Sequence, residues 1–481
     1  MSSGSRFDEP EECSVANVAV LNKYKSAGQI ANRIALWIAG KCIPDAAVVV
    51  LCELSDRGIV RETAKVFQEE AMRKGVAFPT CISVNNYVAY YSPTAQEASM
   101  GEGVLLQDGD LVKIDLAVHI DGYIASVGYS CVVGASQEKP VSGRKADGMW
   151  AAQTALKASM RLIKPGVTNY QVTALTKAVI TAYGCQPIEG TVSHQLLRNQ
   201  LEAEKSIIQN PNQAHKRKYK KTEFEENEVY AVDVLASTGD GKPTKSPAYT
   251  TIFRKLDVSD RPRNKTQRAM LAEASTQYDT MAFHVRNLGE EWQVSRNTHA
   301  CINAGLLKGY PVLTEKTGDL VAQCKGTVAV TATGVEVISG LLVLTADKCQ
   351  SDHAFPLSEM ERAQNNRIET NKKNGQLTQP KAEPGQDAVS SLEEMVVTVT
   401  MPPNAVRRGR PKKAIKRLTT AKCRFVLPSA KRCGRYSKKE KRQAVVVLRQ
   451  YPGAAGRIAN RLRVDRHTLL EWNRTQDCDE T

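Results

Sequence analysis

Apolar residues recur at every third or fourth position in several stretches of the chain, which is the spacing of a helix with one buried face. The clearest stretch begins at about Lys23, and its apolar positions are Ala27, Ile30, Ala31, Ile34, Ala35 and Ile38. The same kind of pattern predicts further helices over residues 62–74, 144–163, 168–183 and 264–286.

Short β-branched runs bounded by Gly, Asp and Asn replace the helical pattern between residues 79 and 132. The run 112–120 is followed by Asp121 and Gly122, and this arrangement predicts a hairpin with a tight turn. Strand patterns return at 229–236 and 326–344. Helices around a strand-rich core, without a regular βαβ rhythm, predict an α+β domain. We place it at residues 21–356, after a polar arm at 1–20.

The positive charge of the chain is concentrated after residue 356. The formal net charge is +15, and residues from Leu357 onward contain 27 Lys and Arg against 13 Asp and Glu. The first 356 residues contain 39 basic and 38 acidic residues. A neutral body with a basic tail predicts a polyanionic partner, nucleic acid first and an acidic protein or a membrane surface second.

The tail divides into three segments by composition. Residues 357–400 are polar with few aromatics and are interpreted as a linker, and residues 401–425 are strongly basic. A compact helical pattern resumes in 426–475 and predicts a small all-α helix-turn-helix.

Twelve cysteines are scattered along the chain without a Cys-x-x-Cys pair, so zinc-ribbon and redox-pair interpretations have no support. The sequence has no run of 18 apolar residues and no apolar signal core at its start. We therefore expect reduced thiols in a soluble, intracellular protein with no membrane partner.

Many short blocks follow one another in a characteristic order across residues 21–350. They include Lys23-Tyr-Lys, Phe78-Pro-Thr, Ser83-Val-Asn-Asn, Gly109-Asp-Leu-Val-Lys-Ile-Asp-Leu, Pro187-Ile-Glu-Gly, Ser193-His-Gln-Leu and Glu228-Val-Tyr-Ala-Val-Asp-Val-Leu. In this order the blocks resemble the proliferation-associated (Erb-receptor-binding) family, a branch of the pita-bread superfamily that includes methionine aminopeptidases. The resemblance implies a pita-bread (creatinase/aminopeptidase-like) fold and binding to ribosomes and structured RNA.

The resemblance also implies where the active peptidases of this fold hold two divalent metals, with two Asp, one His and two Glu. Those five positions, followed by the positions of a catalytic and a substrate-side histidine, are occupied here by Asp115, Ser126, His194, Asp233, Lys325, Tyr90 and Glu202.

The residues at these positions lack the charge that two divalent ions need. Asp115 and Asp233 contribute a formal charge of −2, and Lys325 contributes +1. Four carboxylates would be needed to balance the two ions. An ammonium at a bridging position repels a cation, and neither a metal-activated water nor a base remains. We expect no metal, no cofactor and no catalysis, with His194 joining these three residues in a buried polar cluster. One weakly held ion on Asp115, His194 and Asp233 is an alternative.

The basic run 215–221 contains Lys216, Arg217 and Lys218 and is a candidate for phosphate contacts with RNA. An acidic stretch follows at 223–228. A solvated, partly self-neutralised loop is therefore the competing interpretation.

Residues 407–413 resemble an AT-hook, in which an Arg-Gly-Arg-Pro core lies extended in the minor groove of A·T tracts. The candidate contacts are Arg408, Gly409, Arg410, Pro411 and Lys412. A nuclear-import signal or a chance match in a basic linker is the alternative.

The helical pattern of 426–475 resembles the helix-turn-helix of transposases. Its third helix would present Arg466, His467, Thr468 and Arg474 to the major groove of double-stranded DNA. A generic basic three-helix unit is the alternative.

Three functional hypotheses follow. The favoured one is a catalytically inactive aminopeptidase-like protein, cytoplasmic and nuclear, that binds RNA or ribosomes and other proteins and carries a DNA-binding tail. The second is a metal-dependent methionine aminopeptidase. The third is a transposase-derived nuclear DNA-binding regulator, or the product of two merged genes.

Overall fold

The computed structural model describes residues 11–99, 104–258, 264–288, 297–298, 300–340, 344 and 347–355. The predicted linker, AT-hook and helix-turn-helix lie outside these residues. The helices of the described part are α1 (Val18–Ala39), α2 (Val48–Thr63), α3 (Ala95–Ser99), α4 (Gly143–Leu162), α5 (Asn169–Ala182), α6 (Gln213–Lys218) and α7 (Lys265–Tyr278).

Strands of the described part alternate with these helices. They are β1 (Lys74–Val84), β2 (Tyr87–Ala89), β3 (Leu111–Ile120), β4 (Tyr123–Val132), β5 (Gln186–Pro187), β6 (Val192–Leu196), β7 (Ser206–Ile208), β8 (Val229–Ser237), β9 (Thr244–Lys245), β10 (Ile252–Lys255), β11 (Ala282–His284), β12 (Leu307–Gly309), β13 (Leu313–Thr314), β14 (Val321–Thr331) and β15 (Gly334–Val337).

One large antiparallel sheet organises the domain. Its strands run in the order β1-β3-β4-β14-β8-β6-β7, with β15 paired to β14 and β5 paired to β8. Two three-stranded sheets, β11-β10-β12 and β2-β13-β9, complete the described strands. Helices α1 and α2 pack on β1, β3 and β4, while α4 packs on β8 and β14 and is itself covered by α5. This mixture of helices and antiparallel strands confirms the predicted α+β class.

Helix α1 confirms the helical spacing predicted from Lys23 onward and begins five residues earlier, at Val18. The side chain of Asn17 accepts a hydrogen bond from the backbone N–H of Ala19 at 2.9 Å, which caps the first turn. The apolar stripe predicted from the sequence is buried against the sheet, so the period-3.6 pattern identified the correct face.

The helix predicted over residues 62–74 is wrong. The structure has α2 at Val48–Thr63, and strand β1 already begins at Lys74. The three consecutive valines from Val48 favour a strand by local propensity, but in the fold the first two are buried in the face that packs on β1. Tertiary burial overrode local preference in this segment.

The hairpin predicted at Asp121 and Gly122 is confirmed by β3 and β4. Both turn residues have positive φ, 55° and 82°, as a tight hairpin turn requires. The pairing continues without a register shift from the turn to the far end of both strands. It therefore fixes which residues of β3 and β4 face one another.

The predicted helix over 264–286 is correct only in its first part. Helix α7 ends at Tyr278, and Asp279 follows with a positive φ of 56°. Residues Ala282–His284 then form β11, which pairs with β10. Sequence periodicity alone did not reveal this change of structure.

The nine cysteines in the described residues are free thiols, and seven of them are buried. The described helices include none with the length and apolarity needed to cross a membrane.

Gly28 of α1 gives a test of the helix–sheet packing. A Cβ atom at this position would lie 2.1 Å from the backbone oxygen of Ile338, which cannot yield without moving its own segment. Gly28→Ala should therefore lower the free energy of unfolding by about 1–3 kcal/mol, although alanine is the better helix former. Chemical denaturation of the full chain, followed by circular dichroism, measures this change.

Gly40→Ala at the end of the same helix is the matched control. The nearest atom to its added Cβ would lie 3.7 Å away, an ordinary contact, so we expect a change within about 0.5 kcal/mol. Equal effects of the two substitutions would contradict the packing argument.

Candidate functional site

Four adjacent strands place Asp115, Gly128, Lys325 and Asp233 side by side across the large sheet. Asp115 of β3 pairs with Gly128 of β4, Gly128 pairs with Lys325 of β14, and Lys325 pairs with Asp233 of β8. Residues directly opposite one another project from the same face of a sheet, and neighbouring strands lie about 4.8 Å apart. Lys325 is therefore one strand away from Asp233 and two strands away from Asp115.

The ammonium group of Lys325 lies between the two carboxylates. Its Nζ is 2.9 Å and 3.1 Å from the two carboxylate oxygens of Asp115, and 3.2 Å from Oδ2 of Asp233. The three side chains are 17%, 7% and 11% exposed, respectively. One cation thus pairs with two buried carboxylates and holds strands β3, β14 and β8 together.

Gly128 permits this arrangement, and its role was missed from the sequence. Lys325 reaches Asp115 by crossing over Gly128, where a Cβ atom would lie 2.6 Å from the Lys325 Cβ and 3.1 Å from its backbone nitrogen. A glycine inside a strand often marks a close approach of this kind. A glycine inside this strand pattern is visible in the sequence. Which residue approaches it depends on the register between β4 and β14.

Gln323 also joins the site and was not predicted. Its Nε2 donates to Oδ2 of Asp115 at 3.3 Å and to Oδ1 of Asp233 at 2.8 Å. It precedes Lys325 by two residues on the same strand, so both side chains project from the same face. The amide and the ammonium together satisfy both carboxylates.

The electrostatics keep Lys325 charged. Burial acts to lower the pKa of Lys325, but Asp115 and Asp233 outweigh it and hold the pKa above its ordinary value. Burial and the nearby Asp233 raise the pKa of Asp115, while Lys325 opposes that rise. The cluster is stable as a unit and unfavourable if its cation is removed.

Ser126 lies on β4 opposite Ala117, on the same face as Asp115 but one diagonal step away. Its backbone N–H donates to Thr327 Oγ1 at 2.8 Å, and its carbonyl oxygen accepts from Ser339 Oγ at 2.6 Å. The structure thus ties Ser126 to β14 and to the segment after β15 through its backbone.

Tyr90, which the family resemblance places at a catalytic histidine position, has an unusual backbone conformation. Its φ is 66°, in the left-handed region that a bulky residue rarely adopts and that costs about 1–2 kcal/mol. Its ring packs near Phe78 and Tyr310, with centroids 5.9 Å and 5.4 Å away. Burial raises the pKa of the Tyr90 phenol, so its oxygen stays protonated and is not a base.

Glu202, which the family resemblance places at a substrate-side histidine position, lies in a second cluster of compensated charges. It accepts hydrogen bonds from Lys308 Nζ at 2.6 Å, from Arg254 Nη2 at 3.1 Å and from the Tyr310 hydroxyl at 3.1 Å. Burial alone would raise the pKa of Glu202, but His194, Lys308 and Arg254 outweigh it and lower that pKa. These three partners lie on β10, on β12 and directly after β12. They follow Glu202 by 50 to 110 residues, and for that reason they were not predicted from the sequence.

His194 of β6 completes the seven positions. It pairs with Ala231 of β8, one diagonal step from Asp233. Burial is the main cause that lowers the pKa of His194 to about 4, and Lys308 and Lys325 act in the same direction. The imidazole is therefore neutral at pH 7.

This donor set does not fit the two divalent metals that the fold relatives imply. The space between Asp115 and Asp233 is crossed by the Lys325 ammonium, and Gln323 takes a further oxygen of each carboxylate. Within the described ranges, no group of three or more His, Cys, Asp or Glu side chains is arranged to hold a metal ion.

The basic run forms the short helix α6, whose Lys216, Arg217 and Lys218 are exposed. The acidic stretch that follows has its own cation, because Lys205 Nζ pairs with Glu225 at 3.1 Å and also with Glu228. Both interpretations of the basic run therefore remain predictions. The candidate DNA contacts from Arg408 to Arg474 lie outside the described residues.

Removal of the Lys325 charge tests the cluster. Lys325→Met leaves two buried carboxylates without their cation and should lower the free energy of unfolding by about 3–5 kcal/mol. Adding Asp115→Asn and Asp233→Asn to the same chain should restore most of the loss, because no buried charge then remains uncompensated. Chemical denaturation of the three proteins measures both steps.

Lys139→Met serves as the control, since the Lys139–Asp108 pair has side chains that are 65% and 54% exposed. We expect no measurable loss from it. A triple variant as unstable as Lys325→Met would show that packing, not charge, is the main contribution.

Comparison with known proteins places this site in a family context. The sequence pattern of metallopeptidase family M24 matches residues 22–244. The ERBB-3 binding protein 1 of Arabidopsis thaliana is 41% identical over 345 residues, which cover 70% of this chain and 84% of that protein. Proliferation-associated protein A of Dictyostelium discoideum is 36% identical over 329 residues, with 68% and 83% covered.

Among solved structures, a thermophilic Arx1 superposes with a TM-score of 0.67 at 26% identity, covering 72% of this chain and 97% of that one. The predicted pita-bread fold and the family resemblance are both confirmed by these matches. The chain belongs to the proliferation-associated, ERBB-3-binding-protein family, a branch of the metallopeptidase M24 fold.

Proposed function

We propose that this protein is a catalytically inactive aminopeptidase-like protein that regulates growth or translation by binding RNA or ribosomes and other proteins. The observation that carries the proposal is the Lys325 ammonium paired with Asp115 and Asp233. A peptidase of this fold needs that space for two metals. An internal cation instead satisfies the carboxylates and stabilises the fold without an ion.

The chemistry that remains near the cluster supports the same proposal. Amide hydrolysis needs an activated water and a group that moves protons. Tyr90 is held protonated by burial, and Glu202 is engaged by Lys308 and Arg254. Neither Tyr90 nor Glu202 is therefore free to act as a base.

RNA contact is proposed for α6. Lys216, Arg217 and Lys218 are consecutive and exposed, and their side chains are long enough to follow a phosphate backbone. The neighbouring Tyr219 ring lies 5.0 Å from the Lys218 ammonium and gives the segment one aromatic group. Such contacts are independent of base sequence and depend strongly on salt.

Double-stranded DNA binding is proposed for the tail, through Arg408–Lys412 in the minor groove and Arg466, His467, Thr468 and Arg474 in the major groove. The charge surplus after residue 356 supports this part of the proposal. Protein partners receive support from the name of the Arabidopsis thaliana relative, an ERBB-3 binding protein. Partners of these kinds imply a protein that is present in both cytoplasm and nucleus.

The second candidate function is a metal-dependent methionine aminopeptidase. The retention of Asp115, His194 and Asp233 on one sheet face favours it. A single weakly held ion on these residues is the intermediate possibility. Metal content separates these possibilities.

Restoring the bridging carboxylates should restore metal uptake. The variant Lys325→Glu with Ser126→Asp changes the local charge by −3, and it removes the ammonium that repels cations. After incubation with Mn²⁺ or Co²⁺ and desalting, elemental analysis should show more bound metal in this variant than in the natural chain. The natural chain should also release no N-terminal methionine from a Met-Ala-Ser peptide under these conditions.

Lys139→Glu with Ser136→Asp makes the same charge change on an exposed loop and should take up no additional metal. Two metal ions per natural chain, or metal-dependent methionine release, would establish the aminopeptidase function instead.

Neutralising α6 tests the RNA proposal. The variant Lys216→Gln, Arg217→Gln, Lys218→Gln should bind a structured RNA hairpin more weakly. The slope of log Kd against log salt should become smaller by about 2, since up to three phosphate contacts are lost. Fluorescence anisotropy with the full chain over a salt series measures both quantities.

The matched control neutralises three exposed lysines elsewhere, Lys139, Lys242 and Lys316, and lowers the net charge equally. If the two triple variants lose affinity to the same extent, general charge rather than α6 accounts for binding.

A further inference from the structure

The outer surface of helices α1 and α2 combines exposed apolar side chains with a surplus of cations. We call it the α1–α2 face, and it consists of Arg33, Leu36, Trp37, Lys41, Arg57, Val60, Arg61 and Lys65. Leu36 is 45% exposed and Val60 is 57% exposed. Their neighbours Ile34 and Ile59 are fully buried against the core, so these two side chains project from the opposite side of their helices.

Trp37 forms the centre of the face. A Cβ on Gly58 would lie 3.0 Å from one edge of its ring, which shows how closely α2 approaches the indole. The Lys41 ammonium and the Arg61 guanidinium lie over the ring, at 5.2 Å and 5.9 Å from its centroid. These cation–π contacts hold two positive charges beside an apolar surface.

The charges on the face do not balance. Glu62 is the carboxylate that the cations share, with Lys65 at 2.6 Å, Arg33 at 3.1 Å and Arg61 at 3.3 Å. Arg57 donates to the backbone oxygen of Glu53 at 3.2 Å, which leaves its charge in place. Five cations against the carboxylates of Glu62 and Glu53 give the α1–α2 face a positive surplus.

We propose that the α1–α2 face docks an acidic, amphipathic helix of a partner protein. Leu36, Val60 and the exposed part of Trp37 offer the apolar contact, and tryptophan and arginine are the residues most enriched at the centres of protein interfaces. The surrounding surplus of cations selects a partner whose polar residues are carboxylates. The partner helix inserts apolar side chains at i, i+3, i+4 and i+7.

Other occupants fit these observations less well. A base of RNA needs an open aromatic face for stacking, whereas Lys41 and Arg61 already lie over the Trp37 ring. A second copy of this chain would place the same positive surplus against itself in a twofold contact.

The α1–α2 face shares no residue with the Lys325 cluster or with α6. It adds a protein-docking surface to the proposed function and does not depend on RNA binding or on catalytic inactivity. A negative result when binding to this face is tested therefore leaves both of those proposals intact.

The probe is a synthetic amphipathic helix with Leu at i, i+3, i+4 and i+7 and Glu at its polar positions, labelled for fluorescence anisotropy. The full chain should bind it, and a version with Lys in place of Glu should bind at least tenfold more weakly. Arg57→Glu with Arg61→Glu should weaken binding of the acidic probe by about tenfold or more and reduce its salt dependence.

Two further variants distinguish the loss of the apolar contact from a general effect of polar substitution on the fold. Leu36→Ser with Val60→Ser should also weaken the acidic probe by about tenfold, while Val18→Ser should leave binding unchanged. Val18 is 69% exposed and lies at the opposite end of α1, so it controls for a general effect of polar substitution on this helix.

The proposal is overturned if the acidic probe does not bind, or if it binds the face variants and the natural chain equally. It is also overturned if a single-stranded RNA oligonucleotide loses affinity in the face variants while the acidic probe does not. Sedimentation showing a dimer that the face variants dissociate would assign the face to self-association instead.

Discussion

The ion pairing of one lysine with two buried aspartates is the constraint around which the central sheet is arranged. Burying a carboxylate without a counter-charge costs several kcal/mol, so Asp115 and Asp233 require a cation within contact distance. Lys325 supplies it from the strand between them, at 2.9–3.2 Å. Gly128 makes this contact possible because it places no side chain between Lys325 and Asp115. The counter-charge is part of the chain, so the sheet has it whenever it is folded.

The same principle governs the neighbouring Glu202 cluster. There the carboxylate is surrounded by Arg254, Lys308 and the Tyr310 hydroxyl, so charge is again compensated from within the chain. The two clusters differ in sign, since the first has one cation for two carboxylates and the second two cations for one carboxylate. The charges of both clusters influence His194. Burial and the cations Lys308 and Lys325 keep its imidazole neutral. In both clusters the carboxylates are thus satisfied by cations and hydroxyl or amide groups of the chain itself.

The sequence predicted those features whose signal is local. Helix α1 and the β3–β4 hairpin follow from period and turn chemistry. The family resemblance singled out Asp115, Asp233 and Lys325, which the structure brings into contact. The helix from Val48 was missed because its β-branched start favours a strand locally, and only packing on β1 decides the outcome. Gly128 and Gln323 were missed for another reason. Their roles depend on the register of β14 with β4 and with β8, which precede it by almost 200 and by about 90 residues, and no local pattern encodes that register.

Because some cations pair with carboxylates inside the fold, contact with partners falls to the cations that remain exposed. The first 356 residues contain almost equal numbers of basic and acidic residues, and Lys325 and Arg254 are among the cations that lie largely buried beside carboxylates. Exposed cations occur along much of the described part of the chain, and two groups of them lie on α6 and on the α1–α2 face. A neutral body with local positive patches attracts anionic partners in particular orientations, whereas a uniformly basic surface would attract them indiscriminately. The two patches differ in what accompanies the charge. Helix α6 presents consecutive cations next to one tyrosine, which suits a phosphate backbone, while the α1–α2 face presents leucine, valine and tryptophan, which suit a protein. In the function proposed here, the two patches differ less in how much charge they carry than in which apolar groups lie beside that charge.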